Sequence, residues 1–190
     1  NIQAWTAESP NLYQLNVSLR QGDSLLDQDQ QSFGIRTLSV DSKRGFRVNG
    51  HVVNLRGACI HHDSGLLGAA TYQTAQRRQV RLLKEAGFNA IRMAHHPAAP
   101  ALLRACDELG LYVMDETFDM WTHFKSDFDY SLFFEENWRK DVTAMVETDF
   151  NHPSVVLYSI GNEIPEIGTP HGSHLAKAMH DHIKKLDKTR

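Results

Sequence analysis

The chain has few of the residues that would assign it to a specialised class. Among 190 residues there are two cysteines, Cys59 and Cys106, too few for a disulfide framework and without metal-site spacing. That fits a reducing compartment and leans the reading towards the cytoplasm. No apolar run approaches the roughly 18 residues that suggest a membrane span. There is no long basic run, and Lys+Arg 20 against Asp+Glu 23 leaves a formal charge of −3, so a nucleic-acid partner, which needs clustered positive charge, is not expected. A glycine-rich phosphate turn is also missing. What remains is ordinary: 41% hydrophobic and 23% charged residues, the balance of a folded globular chain. The chain opens at Asn1 without a methionine or targeting signal and reads as an excised piece of something longer.

The first fifty residues read as β. Tyr13, Leu15, Val17 and Leu19 alternate with polar neighbours, the period of a half-buried strand. Gln21-Gly22-Asp23 breaks it, a strand restarts through Phe33, Ile35 and Thr37, and Asn49-Gly50 signals a tight hairpin turn. These are strands of an incomplete β-sandwich over residues 1–50. Beyond it the period changes. Strands are predicted at Val53–Ile60, Ala90–Met93, Leu111–Met114 and Val155–Ile160. They alternate with helices at Thr74–Ala86 (capped by Thr74), Pro100–Leu109, Glu136–Asp149 and a stripe from Leu175 to Leu186.

Such βα repeats imply parallel strands with helical crossovers. A doubly wound sheet and half of a (β/α)8 TIM barrel both satisfy the pattern. The polar residues favour the barrel, with residues 51–190 as its first four βα units. His61, His95, Asp115-Glu116 and Asn162-Glu163 each follow a strand, where such barrels carry their active site.

Asn162-Glu163 at a strand tip suits glycoside hydrolysis, which needs a carboxylic acid to protonate the leaving oxygen and a second carboxylate. The flanks sharpen this. Residues 151–163, Asn-His-Pro-Ser-Val-Val-Leu-Tyr-Ser-Ile-Gly-Asn-Glu, resemble the acid/base signature of glycoside hydrolase family 2. Residues 89–97 and 106–116 resemble its other signature, and Phe33-Gly34-Ile35-Arg36 resembles the end of its immunoglobulin-like domain. Residues 60–69 and Phe118-Asp119-Met120-Trp121 look most like bacterial β-galactosidases.

The resemblance implies Glu163 as general acid/base, with Asn162, His61 and His95 as substrate ligands. It implies Arg92 as the residue orienting a nucleophilic carboxylate, which lies beyond Arg190. Asp119 would bind sugar hydroxyls, and Trp121 would stack on the sugar. The Glu-x-His pair that some relatives use for magnesium is absent after Asp115-Glu116, so no metal or cofactor is expected. A carbohydrate is the expected partner, a β-galactoside first, with β-glucuronides and β-mannosides open. The whole protein could be a homo-oligomer.

Other readings compete. Asp115 and Glu116 read first as structural hydrogen-bonding groups. His61, His95 and Asp115 would alternatively seat a metal, as in metal-dependent barrel hydrolases, and the chain would alternatively be a non-catalytic sugar-binding or assembly module. His62 and Asp63 are ligands or a satisfied turn. His171, His174, His180 and His182 read as solvated surface, and Cys59 and Cys106 as small apolar residues.

Overall fold

The computed structural model describes residues 1–190. Two antiparallel units precede a parallel one. β1 (Tyr13–Gln21) and β2 (Ser24–Phe33) form a two-stranded ribbon. β3 (Leu38–Asp41), β4 (Gly45–Val48) and β5 (His51–Val52) form a three-stranded sheet. β6 (Gly57–Ile60), β7 (Ala90–Met93), β8 (Tyr112–Glu116) and β9 (Val155–Ser159) then pair in parallel and in chain order. Helices follow in turn: α1 (Gln73–Glu85), α2 (Pro100–Leu109), α3 (Ser131–Asp149) and α4 (Pro170–Leu186). These are the first four βα units of a TIM barrel, and the sheet stays open, with β6 and β9 as its edges. No helix is long and apolar enough to cross a membrane.

The parallel sheet is legible because short β-rich runs are punctuated by strong stop signals. Pro100 opens α2, and Gly110 ends it in the left-handed conformation at φ 78. A Cβ on Gly110 would lie 2.1 Å from the Ala7 carbonyl oxygen, so glycine also lets the N-terminal segment pack against this turn. The Asn49-Gly50 hairpin forms as expected, both residues at positive φ (51 and 81), the condition of a type I′ turn.

Four expectations change. The strand predicted from Val53 is short and starts at Gly57. Asn89 intervenes: its side chain accepts from the Arg56 amide (2.6 Å) and donates to the Asn54 carbonyl (3.0 Å), so these groups need no ladder. α1 starts at Gln73, after Tyr72, with no side-chain cap from Thr74. α3 starts a full turn early, at Ser131, because Asp129 accepts from the Ser131 amide at 2.9 Å, and Phe134 extends the buried stripe of Trp138, Val142 and Met145. Finally, the strand expected through Phe33, Ile35 and Thr37 instead ends at Phe33, as the last residue of β2, while Leu15, Val17 and Leu19 on β1 are 51%, 55% and 61% exposed. The apolar face of the ribbon is real, but nothing in this chain covers it.

Three apolar clusters hold the rest. One lies between the sheet and α1–α2, centred on Val80, Leu102, Leu103 and Val113. A second joins α3 and α4 through Phe134, Trp138, Val142, Met179 and Ile183. The third couples the N-terminal segment to the lower ends of the parallel strands through Trp5, Val48, Ala90, Tyr112 and Val156. Trp5 is fully buried, lies edge-on to Tyr112 at 5.7 Å and donates its indole N–H to the Asp107 carbonyl at 2.8 Å. Arg36 pins the α3–β9 turn, donating to the carbonyls of Pro153 (2.6 Å) and Val155 (2.5 Å). Burial, with Arg190 nearby, lowers its guanidinium to about 10.

Behind β8, Asp115 and Asp149 are both buried, and neither Asp115 Oδ2 nor Asp149 Oδ2 has a hydrogen-bonding partner. Burial first, then the charge of Asp115, pushes Asp149 up to about 10, and burial pushes Asp115 up to about 6. Their folded affinity for protons exceeds the unfolded one. The stabilisation is therefore complete below about pH 4 and is lost as pH rises through the raised folded values. Asn at 149 keeps the shape of the side chain and has no proton to gain or lose. Asp149→Asn is therefore expected to flatten the fall in unfolding free energy between about pH 6 and pH 10, read by urea titration at both. Parallel declines in the two proteins would rule out a raised Asp149 as the source of the slope.

Candidate active site

The upper ends of β6 to β9 bring the strand-end residues together. Glu116, the last residue of β8, is fully buried and is the hub. Its Oε2 accepts from Arg92 Nε (3.0 Å), Arg92 Nη2 (2.7 Å) and the Ser159 hydroxyl (2.5 Å), and its Oε1 faces His95 Nδ1 at 2.8 Å. β-pairing explains the meeting. Arg92 on β7 pairs with Met114 on β8, so Glu116, two residues on, shares its face one step higher. The carboxylate raises the Arg92 guanidinium above its ordinary value through their hydrogen bonds, against a smaller effect of burial.

Arg92 Nη2 also donates to Asn162 Oδ1 at 3.0 Å. Asn162, itself buried, donates from Nδ2 to Asp119 Oδ1 at 2.8 Å. Lys125 closes the circuit, donating from Nζ to Asp119 Oδ1 and to the Asn162 carbonyl, each at 2.8 Å. Partial burial pushes the Asp119 carboxyl up, but the bonds from Lys125 and Asn162 outweigh it and hold the group below the usual carboxylate range. Asn162 is thus fixed on both faces of its amide, with its own N–H donating to the Phe118 carbonyl at 3.0 Å.

Glu163 follows Asn162 at φ 43 and is exposed. A non-glycine residue in the left-handed region is uncommon and clusters at functional turns. Ile164 after it is buried beside Trp121, and a Cβ on Gly161 would lie 2.7 Å from the Ile164 side chain. The turn that carries Glu163 is therefore closely packed from both sides.

The expected histidines sit at adjacent strand ends. His61 and His95 meet edge to face with centroids 5.2 Å apart, and behind them His62 and His96 stack at 4.4 Å. Burial, then the charge of His96, lowers His62. Asp115 does not join His61 and His95: its Oδ1 accepts from the amides of Ala98 and Glu116, on the far side of the strand. No three His, Cys, Asp or Glu side chains are arranged to hold a metal ion.

One further reading is corrected. Trp121 is 3% exposed, stacks on Phe134 in the α3–α4 core and donates its indole N–H to the Ile160 carbonyl at 2.8 Å. No face of the ring is open to a sugar, and it serves as a wall behind the Glu163 turn. Glu116, read first as a structural hydrogen-bonding group, makes such bonds and through them anchors both Arg92 and His95. Lys125 was not anticipated, since it lies in an irregular loop where spacing carries no signal.

Comparison with known proteins agrees with the fold. The family model described as glycosyl hydrolases family 2, TIM barrel domain, matches residues 39–190, and the model described as glycosyl hydrolases family 2 matches residues 1–36. Beta-galactosidase BoGH2A of Bacteroides ovatus is 43% identical over 164 residues, 86% of this chain but 19% of that protein. The chain thus spans about a fifth of the length of this curated relative. The crystal structure of a glycosyl hydrolase family 2 member from Bacteroides cellulosilyticus superposes with a TM-score of 0.94 at 44% identity, covering 99% of this chain and 24% of that one. The β-glucuronidase of Parabacteroides merdae superposes at 0.82 with 27% identity, over 99% of this chain and 24% of its own. The chain belongs to glycosyl hydrolases family 2.

Proposed function

We propose that the whole protein is a retaining, exo-acting β-glycosidase, with terminal β-galactosides as its first substrate class. The observation that carries this reading is the circuit Glu116–Arg92–Asn162–Asp119–Lys125, which immobilises Asn162 directly before an exposed glutamate at a strand end. Glu163 begins protonated and gives its proton to the glycosidic oxygen as a carboxylate from a later part of the protein attacks the anomeric carbon. The aglycone leaves and a glycosyl-enzyme forms. Glu163, now a carboxylate, takes a proton from water as that water attacks the same carbon and frees the nucleophile.

The remaining residues orient the sugar. Glu116 accepts at His95 Nδ1, which assigns the proton to that nitrogen and leaves Nε2 as an acceptor for a sugar hydroxyl. His61 packs against the same ring and completes that wall. Asn162 and Asp119 bind hydroxyls. Arg92 keeps its contact with Glu116 through Nε and Nη2, and its Nη1, 3.8 Å from Cys59 Sγ, is the arm left to orient the nucleophilic carboxylate.

A β-glucuronide is the second candidate, on the likeness to the Parabacteroides merdae enzyme. Nitrophenyl β-galactoside, β-glucuronide and β-mannoside assayed with the full-length protein separate them. The galactoside is expected to show the highest kcat/KM. A higher value on the glucuronide would move the substrate class, and inertness on all β-glycosides would remove the reading.

A further inference from the structure

Glu166 is 2% exposed, three residues beyond Glu163, and belongs to none of the contacts above. Its Oε1 accepts from the Thr122 amide (2.8 Å), the Thr122 hydroxyl (2.6 Å) and the His123 amide (2.8 Å). All three donors belong to the irregular loop between β8 and α3, where no ladder fixes the backbone. Glu166 is itself held by the start of α4: its carbonyl accepts from the amide (3.0 Å) and hydroxyl (2.8 Å) of Thr169. A Cβ on Gly172 would come within 2.2 Å of that same oxygen. The loop is therefore tied to the base of a helix.

We propose that Glu166 is a positioning residue that clamps Thr122 and His123 so that Lys125, two residues on, reaches Asp119 and Asn162. The inference deepens the glycosidase reading and rests on it. A buried carboxylate is a costly way to fill space, more so because Oε2 has no partner. Charge-assisted bonds to three donors are the return, roughly twice as strong as neutral ones. They matter where an unsupported loop must place a long lysine side chain. The hydroxyl of Thr122 spends its proton on Glu166, so His171 Nε2 at 3.2 Å donates to it, adding a second tie to α4.

The test uses full-length Glu166→Ala, Glu166→Gln, Lys125→Met and the Glu166→Ala/Lys125→Met double variant. Amide exchange at Thr122 and His123 reports the clamp, and kcat/KM on the best nitrophenyl glycoside reports its consequence. Glu166→Ala is expected to lose protection at both amides and about 10- to 100-fold in kcat/KM, the scale of a misplaced binding group. Glu166→Gln keeps an oxygen for the same donors and should stay within about threefold. Because Glu166 acts through Lys125, the double variant should be no worse than Lys125→Met. Retained protection in Glu166→Ala, or losses that multiply in the double variant, would overturn the proposal. If Glu166→Ala does not fold, Glu166→Asp, one methylene short of its donors, carries the expectation at smaller amplitude, and unchanged kcat/KM there overturns it equally. A wild-type protein inert on every glycoside would remove the glycosidase reading and this role together. An active wild type with an unaltered Glu166→Ala removes the role alone.

Discussion

On the proposed reading, Glu163→Gln in the full-length protein is expected to slow glycosides with poor leaving groups by about 10²–10⁴-fold, the usual contribution of general acid catalysis. That is about 2.7–5.4 kcal/mol of barrier. The amide retains the shape of the side chain and its left-handed turn, so the loss belongs to the proton rather than to folding. Nitrophenyl glycosides, whose leaving groups need little protonation, should lose much less in their first step. Their second step still lacks a base for water, so the glycosyl-enzyme should accumulate as a burst. Azide, which attacks without needing deprotonation, should restore turnover and yield a β-glycosyl azide, because two inversions retain configuration. Equal losses on both substrate types with no azide product would remove Glu163 from the role.

The sequence already exposes the residues of this prediction, because they sit where two signals coincide. A short apolar run ending in Asn162-Glu163 states both a buried strand and its polar tip, and the same holds for Arg92 on β7 and His95 just after it. The signal fails where contacts come from outside the local period. The polar run Asp27-Gln28-Asp29-Gln30-Gln31-Ser32 has no alternation, yet it pairs with β1 through its backbone. Val53 to Arg56 look like strand, yet the Asn89 side chain takes the Asn54 carbonyl and the Arg56 amide. Trp121 has the chemistry of a sugar platform, but its indole N–H found a carbonyl and its ring a core. Lys125 and Glu166 meet their partners across loops 37 and 44 residues apart in sequence, which no periodicity encodes. Glu116 was within reach: its cross-strand offset from Arg92 follows from the parallel register once the sheet order is known.

Glu116→Ala should be the most damaging change in the circuit for the fold as well as for activity. It removes the acceptor of two Arg92 bonds, of the Ser159 hydroxyl and of His95 Nδ1 at once. Breaking a buried ion pair from one side costs about 3–5 kcal/mol, because the surviving charge stays desolvated. The lower end applies here, since the Arg92 side chain is 32% exposed and water screens part of the loss. Three kcal/mol is a large share of a typical domain stability of about 5–15 kcal/mol, and a clear drop in the urea midpoint should follow. Glu116→Gln separates the two consequences. It keeps one oxygen for Arg92, so most of the stability should survive. Its amide N–H2 must face either His95 or the Arg92–Ser159 side. Facing His95, it donates to Nδ1, reverses the tautomer and turns Nε2 from an acceptor into a donor. Facing the other side, it sets donor against donor at Arg92 and Ser159. Either way the sugar-binding wall changes its hydrogen-bonding sense, and kcat/KM should fall by at least about tenfold, the equivalent of one lost hydrogen bond to a buried polar partner. A Glu116→Gln variant with wild-type kcat/KM, together with a Glu116→Ala variant that keeps the wild-type urea midpoint, would show that neither His95 nor Arg92 depends on this carboxylate.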